Sequence, residues 1–73
     1  MRNVVVSTLS EDVVTDIENK LEEIGVSVIE ERYDLRRHRY ELYARVSFLQ
    51  SCKLRRFIKS RNLDTMYLET PSH

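Results

Sequence analysis

The side chains that could carry chemistry are few and far apart. A metal centre needs several His, Cys or carboxylate ligands at fixed spacing, and His38, Cys52 and His73 stand well separated in the sequence. A serine nucleophile needs a base beside it. Ser10 has none in sequence and sits where a helix N-cap is expected. A phosphate cradle needs glycines, and the chain has one, Gly25. These counts predict a protein that is not an enzyme and holds no cofactor or metal. What remains is cationic and aromatic. Arg36, Arg37 and Arg39 cluster in one short segment, Lys59 and Arg61 in another, and Tyr43 and Tyr67 offer broad rings with a polar tip. Cations of this kind neutralise phosphates, and tyrosines stack on bases or anchor protein contacts.

Charge is divided along the chain. Residues 1–34 carry nine acidic and three basic side chains, and residues 35–73 reverse those numbers, so the formal net charge is zero. Such asymmetry suits either a basic face for an anionic partner or two halves that attract each other. The second option would place Asp16, Glu18, Glu22 and Glu23 of a first helix against Arg55, Arg56 and Lys59 of a second, as a solvated charge seam.

Seventy-three residues, 41% hydrophobic and 33% charged, make one domain (1–73) with a small core. A single cysteine cannot form an internal disulfide, which fits a reducing, cytoplasmic setting. The longest apolar run is Val4–Val6, far short of the ~20 residues that span a bilayer, so no membrane insertion is expected.

The elements that must position these residues follow from periodicity. Valines at positions 4 to 6 favour a first strand over Asn3–Thr8. Val13, Val14, Ile17, Leu21 and Ile24 recur at helical spacing after Ser10, and Gly25 marks the stop, predicting a helix from Glu11 to Ile24. Val26–Asp34 is strand-like with broken alternation, the mark of a bulged or edge strand. A polar turn over Leu35–His38 of about four residues then leads to a strand in which Tyr40, Leu42, Ala44, Val46 and Phe48 alternate with polar neighbours. A second helix opens near Gln50 or Ser51, buries Leu54, Phe57 and Ile58, and ends at Asn62. A last strand covers Thr65–Glu69, with Met66 and Leu68 on one side, Tyr67 on the other, and Pro71 as terminator.

The order β-α-β-β-α-β predicts a ferredoxin-like α+β sandwich. It has a four-stranded antiparallel sheet of order 4-1-3-2 with both helices on one face. Nothing in the chain is left to cover the other face. Val5, Ser7, Glu41, Tyr43, Arg45, Thr65, Tyr67 and Glu69 are expected there, with Val5, Tyr43, Arg45 and Tyr67 as the interface. The hairpin turn and the end of the second helix share one end of this fold. Arg36, Arg37, Arg39, Lys59 and Arg61 are therefore read as an anion-binding edge.

Two family resemblances bear on function. The segment Glu41–Phe48 resembles the third-strand signature of RNA recognition motifs at Tyr43, Ala44, Val46 and Phe48, which implies base stacking. It departs from that signature where Arg45 replaces a stacking aromatic, Leu42 a small residue, and Val5 the first-strand aromatic. The element order is also similar to that of ACT-like modules, including the cytoplasmic C-terminal domain of MgtC-type membrane proteins. That likeness implies a regulatory module acting through paired sheets. Ser7–Ser10 lacks the glycine by which amino-acid-binding ACT domains hold an effector, so association alone carries over. The expectation is a non-catalytic interaction module that forms a homodimer and contacts another protein. The alternative is nucleic-acid binding through the basic hairpin turn and second helix.

Overall fold

The structure, a computed structural model, describes residues 1–61 and 65–71. Its elements are β1 (Arg2–Thr8), α1 (Glu11–Glu23), β2 (Val28–Asp34), β3 (Arg39–Val46), α2 (Phe48–Ser60) and β4 (Thr65–Pro71). The strands form one antiparallel sheet of order β2-β3-β1-β4, which is the ferredoxin-like topology. The expected helix end at Asn62 and the terminal His73 lie outside the described residues.

Period-two burial builds the sheet side of the core. Val4 and Val6 of β1 and Leu42, Ala44 and Val46 of β3 point one way and meet Val14, Ile17 and Leu21 of α1 and Leu54 of α2. Burying an aliphatic side chain of this size contributes about 1.5–3 kcal/mol, so this one layer supplies most of the drive to fold. Gly25 closes α1 at φ 81°, the left-handed conformation expected of it, while Ser10 occupies the N-cap position without a side-chain cap bond. Edge strand β2 is irregular between Val28 and Glu30, where the broken alternation placed a bulge. Four residues, 35–38, link β2 to β3. The Asp34 carboxylate accepts from the backbone N–H of Arg36 at 3.0 Å and of Arg37 at 3.3 Å, and His38 adopts φ 53°.

Several boundaries differ from expectation. β2 begins at Val28 rather than Val26, and β4 runs on to Pro71, which pairs with Arg2 instead of terminating the strand, as a proline can on an edge strand. β3 ends at Val46, and α2 begins at Phe48 rather than at Gln50 or Ser51. The cause is a reciprocal cap: Ser47 Oγ accepts from the Gln50 N–H at 3.2 Å, and Gln50 Oε1 accepts from the Ser47 N–H at 2.9 Å. Gln50 also donates to the Ile24 carbonyl at 3.2 Å, tying the start of α2 to the end of α1. Ser51 is fully buried and donates to the Phe48 carbonyl. A Ser47→Ala variant is expected to lose about 1 kcal/mol, read as a lower midpoint in urea at unchanged slope.

Candidate functional site

Side chains of the open sheet face come from alternate positions of paired strands. Val5 stands opposite Tyr43 on β3 and Leu68 on β4, and Ser7 opposite Glu41 and Met66. Met66 and Leu68 are 49% and 57% exposed, large apolar surfaces that no described element covers. On the far side, Glu30 pairs with Tyr43 and Arg32 with Glu41. Arg32 donates to Glu30 at 2.8 Å and lies 5.5 Å from the Tyr43 ring, and Tyr43 donates to Glu41 at 3.3 Å. The face therefore has an apolar stripe on β1 and β4 and a polar stripe on β2 and β3, where Arg32 pairs with Glu30. Partial burial, then the charge of Glu41, push the Tyr43 phenol above its ordinary range.

Tyr67 is not on this face. It pairs with Val6 and packs against the core from the helix side, and Thr65 and Glu69 share that side. The alternation of β4 is thus opposite to expectation. The Tyr67 ring packs against the core there with its polar tip satisfied. Tyr67 donates to Glu69 at 3.0 Å, Glu69 pairs with Arg2 at 3.1 Å, and the Arg55 guanidinium lies 6.0 Å from the ring. Burial foremost, then the bond to Glu69, hold the Tyr67 phenol far above its ordinary value. Sequence reasoning missed Met66 and Leu68 as surface residues. A three-residue alternation with apolar residues on both parities carries no signal that decides between the faces.

The basic residues differ in their partners. Arg39 is held on the open face, donating to Ser7 Oγ at 2.8 Å and to the Ser7 carbonyl at 3.0 Å. Arg37 leans toward Asp34 at 3.9 Å, and Arg36 is exposed in the turn. Arg61 belongs to the helix layer, 5.1 Å from the Phe57 ring, and Lys59 is exposed in the last turn of α2. Arg45 is exposed on β3, on the open face.

The expected charge seam between the helices is absent. The ion pairs among the described residues are Arg2–Glu69, Lys20–Glu23, Arg32–Glu30 and Arg37–Asp34, none of which joins α1 to α2. Glu18 turns toward β2. Desolvation first, then the charge of Glu31, raise its carboxyl above the usual range. Glu18 and Glu31 thus bring like charges together on the α1/β2 flank.

No group of three or more metal-ligating side chains is assembled among the described residues, and no helix there is long and apolar enough to cross a membrane. Comparison with protein-family models, curated proteins and solved structures finds no match for this chain.

Proposed function

We propose that this chain is a small non-catalytic interaction module, ACT-like in architecture, that self-associates by stacking the open faces of two sheets. The observation that carries the reading is the apolar stripe of Met66, Leu68 and Val5 on the open face, with Met66 and Leu68 exposed. Its area suits a dimer. The molecule measures 30 × 28 × 17 Å, so a broad side offers at most about 800 Å² per copy, the contribution each partner makes to a standard stable interface. A two-fold axis through the stripe lets each copy bury the other's Met66 and Leu68. Nucleic-acid binding has weaker support. Arg39 and Arg37 are already engaged, and the remaining cations are divided between the hairpin turn and the helix layer.

Sedimentation equilibrium tests the proposal. The expected result is twice the 8.7 kDa chain mass, unchanged between about 0.05 and 0.5 M salt, because apolar contact is not screened. A dimer that dissociates in salt would point to the acidic and basic flanks instead. A monomer at about 100 μM would remove self-association, since a useful interface of this size holds well below that concentration.

A further inference from the structure

The helix layer carries a concavity that the sheet-stacking reading does not use. A groove of about 490 Å³ runs between α1 and α2, walled by Lys20, Glu23 and Ile24 on one side and by Lys53, Arg56, Phe57 and Ser60 on the other. The α2 residues sit at spacings of three and four, so one helix face presents them together. A smaller depression of about 160 Å³ continues it past Phe57 toward Asp16 and Arg61.

The cations here differ in how they are occupied. Lys20 pairs with Glu23 at 3.6 Å and lies 5.5 Å from the Phe57 ring, and Arg61 lies 5.1 Å from that ring and shares its depression with Asp16. Lys53 and Arg56 are exposed and make no ion pair among the described residues. With Lys20 set against Glu23, Lys53 and Arg56 leave two positive charges in the groove, on side chains one helical turn apart. Beside them lie Ile24 and Phe57, both partly buried and apolar.

We propose that this groove binds a small phosphate monoester, with the dianionic phosphate held by Lys53 and Arg56 and the organic body lying against Phe57 and Ile24. Charge sets the class: two unpaired cations match a doubly charged phosphate, and the Arg56 guanidinium supplies a planar donor pair for its oxygens. Size agrees, since grooves of about 300–1,000 Å³ accept ligands of metabolite dimensions. The site lies on the layer opposite the open face, so it stands or falls apart from self-association.

The test is an amide chemical-shift titration of the full chain with AMP, inorganic phosphate, adenosine and a single-stranded oligonucleotide. AMP is expected to saturate shifts in residues 20–24 and 53–60, to bind more tightly than inorganic phosphate, and to outcompete adenosine. Affinity should fall between pH 7 and pH 5, because the phosphate, facing Lys20, Glu23, Lys53 and Arg56, regains its second proton near about pH 6. The Lys53→Ala/Arg56→Ala double variant, both sites being exposed, should fold normally by circular dichroism and lose at least about tenfold in AMP affinity. Equal AMP binding by that variant would overturn the proposal. So would AMP shifts confined to the hairpin or open face, or an oligonucleotide that saturates the groove more tightly than AMP.

Discussion

Replacing Met66 and Leu68 together with glutamate is expected to abolish the proposed self-association while leaving the fold intact. Both side chains lie on the open face of the sheet and are about half exposed or more, so the monomer loses little, within about 0.5 kcal/mol per site, as for ordinary surface substitutions. The proposed dimer loses much more. In a two-fold interface each residue is buried twice, and each substitution also brings like charges together across the axis. Even after discounting area for the cost of association, self-affinity should fall at least about a hundredfold. Sedimentation equilibrium reads the mass and circular dichroism the fold. The same variant separates two routes to a dimer. Pairing of β4 edges uses backbone hydrogen bonds and would survive these changes, whereas stacked faces would not. A dimer that persists in the double variant places the contact elsewhere.

Where the fold was legible in the sequence, one period dominated. Val13 to Ile24 and Tyr40 to Val46 repeat long enough for burial to have one solution, and Gly25 supplies the left-handed stop that ends α1. Given those elements, chirality of the crossovers leaves essentially one strand order, which is the one observed. The start of α2 was less clear. Phe48 continues the alternation of β3 by type, and only the Ser47–Gln50 capping box reveals that the helix has already begun. The site was least legible. Charge in sequence does not state which cation meets which anion, and Arg39 reaches Ser7, 32 positions away, rather than its basic neighbours. The groove was invisible for the same reason, since it needs two helices side by side before Lys53, Arg56 and Lys20 become neighbours.

The orientation of β4 sets a stability contrast between Tyr67 and Tyr43. Tyr67→Ala is expected to cost about 3 kcal/mol, because it opens a cavity under α2 and leaves Glu69 with one partner fewer. A small domain has only about 3–5 kcal/mol to lose, so this variant should be largely unfolded near 37 °C. Tyr43→Ala, on the open face, should cost within about 1 kcal/mol. Similar losses for the two would mean that both rings share one environment, contrary to the pairing of Tyr67 with Val6 and of Tyr43 with Val5.

Alkaline titration checks the same assignment with a definite sign. Burial and the neighbouring Glu69 raise the Tyr67 phenol in the folded chain, whereas an unfolded tyrosine ionises near about pH 10. Above that pH the unfolded state releases a proton that the folded state retains, so stability is full below it and declines as pH rises. Tyr43 adds a part of the same sign through its own burial and Glu41. Tyr67→Phe keeps the ring and removes the proton. Its urea midpoint should therefore fall less steeply than that of the parent chain above about pH 10, while a slope equal to the parent's would place the Tyr67 hydroxyl in water in both states.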